Sequence, residues 1–308
     1  MALNIAQLGV GAIGSIYAGH LLKAGARLKL FDRDIARTEP YVKDGAIAAT
    51  SISELVAGVD FILVSLPDPL AARSALMGPQ GVIALAPAGS LVLDVSTIDP
   101  TTARELFQLA KARGVDYLEA PVSGGEPMSA GTDGAKRANI TFMAAGDEAA
   151  FERAKPLMNI LGKFPLYLGK AGNGATIKLL SNHQAGLINL LNAEAFAMAR
   201  AAGIPEEALF QVFEHTDANS YWLHNYFKPR LRDNNYEPGF SVDLQYKDHR
   251  LMEDVAREYK VPMPFNGLAL QIYQILRARG TGGKDLVEAA NLFAEFAGVT
   301  RFDEAPAA

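Results

Sequence analysis

Lys178 and Asn182 stand four residues apart in Gly172-Asn173-Gly174-Ala175-Thr176-Ile177-Lys178-Leu179-Leu180-Ser181-Asn182, which puts an amine and an amide on one face of a helix. An ammonium partly desolvated among leucines and isoleucines loses some of its preference for charge, and so can exchange a proton with a hydroxyl or a carbonyl at a site between two domains. For an arbitrary helix the commoner reading is a surface lysine lying across apolar surface, and the spacing alone leaves both open. Ser123-Gly124-Gly125, in Ala120-Pro121-Val122-Ser123-Gly124-Gly125, offers a hydroxyl and closely approachable backbone N–H groups, suited to anchoring a carboxylate or equally to a flexible turn. Lys247-Asp248, eight residues after Gly239-Phe240, is a charged pair that suits a cleft or a solvated helix.

A second set of residues points to phosphate. Gly9-Val10-Gly11-Ala12-Ile13-Gly14 follows a strand-like run and opens a helical stretch over 15–23, with Asp32 closing the run Arg27-Leu28-Lys29-Leu30-Phe31. Gly9 suits a sharp strand-to-helix turn, Gly11 the approach of a pyrophosphate, and Gly14 close packing of helix on strand. Ala12 and Ile13 then present the helix N-terminus to the phosphates. A carboxylate at position 32 accepts hydrogen bonds from ribose hydroxyls and repels a 2′-phosphate, which favours NAD, whereas Arg33 would pair with that phosphate and keeps NADP open. Leu66-Pro67 and Ser96-Thr97 follow further strands and are placed to meet nicotinamide and ribose, or to serve as ordinary turn and cap residues.

These residues need elements to hold them. From residue 1 to 168, β-like runs at Asn4–Leu8, Arg27–Phe31, 61–65, 90–95, Asp116–Glu119 and 139–144 alternate with helical segments, the pattern of a parallel sheet with helices on both faces. Pro67, Pro69 and Pro100 fall just after strands, where ligand-facing loops of such a sheet lie. Beyond Gly172-Asn173-Gly174 the pattern changes: 175–202 reads as one long helix without proline, and 206–215, Val242–Tyr259 and 284–297 are helical as well. The expected architecture is an α/β sheet domain over 1–168 and an all-α domain over 169–308 built on the long interdomain helix.

Composition narrows the class. The chain has 308 residues, is 49% hydrophobic and carries a formal charge of −5, with no block of lysine and arginine, which argues against nucleic acid as a partner. No apolar stretch is long enough to span a bilayer, and the N-terminal apolar run is the glycine motif, so a cytoplasmic location is expected. Cysteine is absent, which excludes disulfides and thiolate chemistry, and the 5 histidines show no metal-ligand spacing, so no metal is expected.

In this order, the glycine motif, Asp94-Val95-Ser96-Thr97-Ile98-Asp99-Pro100, Ala120 to Gly125, the Lys178/Asn182 helix and Gly239-Phe240 leading to Lys247-Asp248 resemble the β-hydroxyacid dehydrogenase family over nearly the whole chain. The resemblance implies a Rossmann-type doubly wound domain followed by a helical domain that forms dimers or tetramers, and an NAD(P)-dependent oxidation of a small 3-hydroxyacid to a semialdehyde or ketoacid. It implies Lys178 as general acid/base, Asn182, Ser123, Gly124 and Gly125 as substrate ligands, and Lys247 lining the cleft near both nicotinamide and substrate. An imine reductase shares the layout, but lysine at 178 argues against it. A non-catalytic NAD-binding sensor or scaffold is disfavoured by Lys178, Asn182 and Ser123 occurring together.

Three features depart from the family pattern. Ser181-Asn182 replaces two adjacent asparagines, the segment from Glu126 to Asn139, with Asp133, Lys136 and Arg137, is longer than usual, and the group Tyr221, Trp222, His224, Tyr226 and Phe227 is unusually aromatic. The long segment and the aromatic group either reshape the acyl pocket or are a surface excursion and a helix-packing core.

Overall fold

Short apolar runs bounded by glycine and polar residues become strands wherever both faces are covered, and this governs the N-terminal half. The computed structural model describes residues 3–124 and 131–304. Within it lie β1 (Asn4–Leu8), β2 (Arg27–Phe31), β3 (Ile47–Ala48), β4 (Phe61–Val64), β5 (Leu91–Asp94), β6 (Asp116–Glu119), β7 (Val122–Gly124), β8 (Ile140–Gly146) and β9 (Phe164–Tyr167). They form one sheet in the order β3-β2-β1-β4-β5-β6-β8-β7, with β9 beside β8. The pairs from β3 through to β6 are parallel, whereas β8 runs antiparallel to both β6 and β7. The chain leaves β1 toward β2 and β3 and then crosses back to β4, so the strand order reverses between β1 and β4. Ligands of such sheets bind at that reversal, outside the carboxyl ends of the strands.

Side chains alternate across the sheet, as period-2 geometry demands. Ile5, Leu28, Leu30, Leu63 and Leu93 pack on one face with Tyr17, Ala18 and Leu21 of the helix Ala12–Lys23 and with Phe151, Leu157 and Leu161 of the helix Glu148–Leu161. Ala6, Leu8, Ile62, Val64 and Val92 pack on the other with the helices Ile52–Val56, Pro69–Leu76 and Pro100–Ala112. Pro69 and Pro100 each occupy the first helical position behind an aspartate cap, Asp68 accepting from Ala71 N at 2.8 Å and Asp99 from Thr102 N at 2.8 Å. A proline there has no N–H to lose, so these prolines serve as helix starts.

The chain divides into two compact units at Lys178, inside the helix Asn173–Ala201. The second unit is helical among the described residues. Its core joins Phe196, Phe210, Trp222, Leu223, Tyr226, Phe227 and Tyr273 from the long helix, the π-helical turn Leu223–Phe227, the helix Glu206–Glu214 and the helix Pro264–Ala278. Trp222 and Tyr226 stack with ring centroids 4.1 Å apart, and the Tyr226 hydroxyl donates to Asp285 Oδ2 at 2.6 Å. Of the two readings of the aromatic group, core packing is the one observed, with Tyr221 its exposed member. The helix expected over 284–297 begins only at Glu288, because Asp285 is turned inward to accept the backbone N–H groups of Gly239, Phe240 and Val287.

Candidate functional site

The glycine turn is built from the backbone outward. Gly9 has φ +93°, and a Cβ there would sit 2.2 Å from the Ser65 carbonyl oxygen, at the end of β4. A Cβ on Gly14 would sit 2.2 Å from the Gly9 carbonyl oxygen. The buried Gln7 amide ties the turn together, Nε2 donating to the carbonyls of Gly9 at 3.0 Å and Gly14 at 2.7 Å. Gly11 differs from both, because a Cβ there would meet only the tip of Arg37, at 3.9 Å, and it offers no side chain to cap the helix Ala12–Lys23. The first turn of that helix therefore faces open space with its N–H groups and positive dipole end, which fits a pyrophosphate. Asp32 is fixed beside it, accepting from Val10 N at 2.8 Å and Asp34 N at 3.0 Å. Arg33 is exposed, and Arg37, which sequence reasoning passed over, pairs with Asp34 at 3.4 Å.

The loops after β4 and β5 are tied to one another. Ser96 Oγ accepts from Leu66 N at 2.9 Å, Ser96 N donates to Asp94 Oδ1 at 3.0 Å, and the Tyr117 hydroxyl donates to Asp94 Oδ2 at 2.9 Å. Ser96 is therefore committed to holding the loop at Leu66; Pro67 is exposed and Thr97 half-buried beside it. Next along the sheet edge, Glu119 Oε1 accepts from Gly172 N at 2.7 Å and Gly174 N at 2.9 Å, clamping the start of the helix that carries Lys178. Burial pushes Glu119 up to about 7; the backbone donors of Gly172, Gly174 and Ala175 oppose the rise, and the nearby Asp94 adds to it. Gly174 has no room for a side chain, since a Cβ would sit 2.2 Å from the Met143 carbonyl oxygen.

Lys178 and Asn182 occupy successive turns of the long helix and each is 7% exposed, whereas Ser181 faces solvent. In the second unit, Asn182 Nδ2 donates to Asp248 Oδ2 at 2.5 Å, and Gln245 Nε2 donates to the Asn182 carbonyl at 2.9 Å. Both partners lie on the helix Val242–Tyr259, as does Lys247, whose Nζ is 3.1 Å from Asp248 Oδ1. Asn266 joins from the helix Pro264–Ala278, its Oδ1 2.8 Å from His249 Nδ1 and 3.2 Å from His183 Nδ1. Burial lowers His249 to about 4, with Asn266 pulling the other way and His183 adding to the fall.

Of the expected cofactor ligands, Gly9, Gly11, Ala12, Ile13, Gly14, Asp32, Arg33, Leu66, Pro67, Ser96 and Thr97 all gather at the carboxyl ends of β1, β2, β4 and β5. Ser123 and Gly124 lie in β7, paired with Thr141 and Ile140 of β8, and Gly125 lies outside the described residues. Of the long segment after Gly125, residues 126–130 likewise lie outside them. The helix Gly131–Lys136 packs Ala135 into the first core, where its carbonyl is 2.8 Å from His20 Nε2. Glu119, Gln245 and the hydrogen bond that joins Asn182 to Asp248 were missed, because each links residues more than fifty positions apart and leaves no local pattern.

Comparison with known proteins identifies the family. The model of the NAD binding domain of 6-phosphogluconate dehydrogenase matches residues 4–172, and that of the NAD-binding region of NADP-dependent 3-hydroxyisobutyrate dehydrogenase matches residues 172–293. The chain is 30% identical to 2-(hydroxymethyl)glutarate dehydrogenase of Eubacterium barkeri, covering 97% of both chains. It is 32% identical to NAD-dependent L-serine dehydrogenase of Pseudomonas aeruginosa, over 94% of this chain and 97% of the relative. Among solved structures, 3-hydroxyisobutyrate dehydrogenase of Mycobacterium tuberculosis with L-serine aligns with a TM-score of 0.86 at 29% identity, over 95% of this chain and 99% of the other.

Proposed function

The chain belongs to the β-hydroxyacid dehydrogenase family, and from that premise we propose that it interconverts a 3-hydroxyacid of the 3-hydroxyisobutyrate type and the matching semialdehyde or ketoacid, with Lys178 as general acid/base. It is an NAD(P)-dependent oxidoreductase acting on CH–OH groups. The observation that carries the role of Lys178 is its burial: a lysine only 7% exposed, one turn before an equally buried asparagine, does not fit a surface lysine lying over apolar side chains.

When bound, the nicotinamide accepts or supplies the hydride. The protein's share is binding and proton transfer. Ser123, Gly124 and Gly125 hold the substrate carboxylate through a hydroxyl and backbone N–H groups, and Lys247 adds a positive charge on the substrate side. Asn182 orients the reacting oxygen. Lys178, as the free amine, takes the hydroxyl proton during oxidation; as the ammonium, it returns that proton to the carbonyl oxygen during reduction. Lys178→Ala should lower kcat by about 10²- to 10⁴-fold while NADH binding, followed by fluorescence, stays near normal. Turnover close to that of the parent would remove Lys178 from this role.

The Asp32 carboxylate supports NAD over NADP, through repulsion of a 2′-phosphate. Comparing kcat/KM for the two cofactors tests this, and a preference for NADP would assign the site to Arg33 and Arg37 instead. Exposed apolar residues on the helical unit, including Leu191, Met198, Phe265 and Leu268, support assembly into a homodimer or homotetramer. Light scattering after size exclusion checks it, a monomer being the contrary result. The division of labour follows the two domains, 1–168 binding the dinucleotide and 169–308 serving substrate and assembly, in a protein of the cytoplasm. No helix among the described residues is long and apolar enough to cross a membrane.

A further inference from the structure

We propose that Asp248 is a positioning residue of the reaction: its carboxylate takes one N–H of the Asn182 amide and thereby aims the other at the reacting oxygen of the substrate. The inference rests on the role given to Asn182 above, and deepens it.

The argument starts from what each group can do. An ionised carboxylate only accepts hydrogen bonds, whereas an amide has a donating nitrogen and an accepting oxygen of nearly the same shape. With Asp248 Oδ2 2.5 Å away, the Asn182 nitrogen must face Asp248, and the amide plane is set. One N–H is spent on the carboxylate and the second is held in the same plane. That N–H is the group able to stabilise negative charge as it develops on an alkoxide-like oxygen, and a donor fixed beforehand does so without reorganising.

The surroundings of Asp248 make it a fixed point. It is 2% exposed, and Gln245, three residues earlier on the same helix, donates to the Asn182 carbonyl, so side chain and backbone of Asn182 are held by one helix. One turn further along the long helix, Gly186 lets that helix come close, since a Cβ there would meet Gln245 Nε2 at 2.3 Å and His249 Nε2 at 2.6 Å. Asn266 braces His249 from a third helix, its Nδ2 donating to the His249 carbonyl at 3.0 Å. The second oxygen of Asp248 faces the Lys247 ammonium at 3.1 Å, so one carboxylate sets two groups assigned to the substrate side.

Substitutions at the pair test this. Asp248→Ala should lower kcat by about 10²-fold, the scale at which a small misplacement of a reacting group is felt, with NADH binding little changed and the melting temperature lowered by a few degrees for the polar groups left unpaired. Asp248→Asn keeps an accepting oxygen and should stay within about tenfold of the parent. The deciding variant is the exchanged pair Asn182→Asp/Asp248→Asn, which restores the hydrogen bond with donor and acceptor reversed but leaves no N–H at position 182. It should melt like the parent and remain as slow as Asn182→Asp alone. Recovery of kcat in the exchanged pair, or parental kcat in Asp248→Ala, would overturn the inference. Lys178→Ala, run alongside, separates the two levels: if it is active, the reading of the whole site fails; if it is inactive while the exchanged pair is active, only the role of Asp248 fails.

Discussion

The two halves of the candidate machinery are built from different materials. At the glycine turn of the first unit the active surface is backbone: Gly9 and Gly14 press against carbonyl oxygens, Gly11 leaves an opening, and Gln7 and Asp32 hold the loop from behind. In the second unit the candidate surface is side chain: Asn182, Asp248, Gln245 and His249 meet between helices whose backbones are regular. A site made of backbone tolerates almost no added atom, because its walls move only if strands move. A site made of side chains can give way at their tips, and its failures should appear in rate before they appear in stability.

The sharpest test of that contrast is Gly9→Ala. The new Cβ would lie 2.2 Å from the Ser65 carbonyl oxygen on a residue already at φ +93°. Neither problem can be relieved without displacing the end of β4, so we expect a loss above about 4 kcal/mol. The melting temperature should fall by about 10 °C or more, and cofactor binding should be abolished. A variant that melts normally and binds NADH would show that the turn is more pliable than its walls suggest.

Glu119 provides the next largest effect, and it belongs to the backbone side of the contrast because its partners are the amides of Gly172 and Gly174. Its folded-state value of about 7 lies above the ordinary 4.5, so the folded chain holds this proton more tightly than the unfolded chain does. The stabilisation is complete below about pH 4.5 and is lost as pH rises through about 7, a change of about 3 kcal/mol. Glu119→Gln has no proton to lose. The stability of the parent relative to this variant should therefore decline from pH 4.5 toward pH 7 and level off above it. Urea titrations across that range read the difference directly, and a flat difference would mean that the carboxylate is charged throughout.

The same contrast explains what could be read from the chain alone. Asn4–Leu8, Arg27–Phe31 and Asp116–Glu119 are apolar runs closed by local breaks, and they are strands with the expected bounds. The glycine motif was legible because Gly9 carries a positive φ of its own and Gly14 packs on the Gly9 carbonyl five residues back, so two of its demands show in the local spacing, whereas the Ser65 wall beside Gly9 does not. Ile47–Ala48 is too short to show alternation, Val122–Gly124 looks like a turn, and Phe164–Tyr167 carries Pro165, which a strand tolerates when it pairs on one side only, as β9 does with β8. Glu119 read as the end of a strand and Asp248 as half of a surface pair, since their partners arrive from distant parts of the chain. The aromatic group around Trp222 drew attention for its composition, and its composition is that of a core.

Gly186→Ala is the mildest change and the best probe of the side-chain half. Its new Cβ would also be crowded, 2.3 Å from Gln245 Nε2 and 2.6 Å from His249 Nε2, but these atoms are the ends of side chains. Gln245 can swing aside, and in doing so it releases the Asn182 carbonyl. Replacing a helical glycine by alanine favours the helix by about 1 kcal/mol, while leaving buried polar groups unpaired costs about 1–3 kcal/mol. The net loss should be about 1 kcal/mol, far less than at Gly9 despite a clash of similar depth. Because the released carbonyl and Asp248 both define where Asn182 sits, kcat should fall by about tenfold with cofactor affinity intact. A Gly186→Ala enzyme that is destabilised as severely as Gly9→Ala would erase the distinction between the two regions. One that turns over at the parental rate would show that the helix pair does not need its close approach to hold the amide.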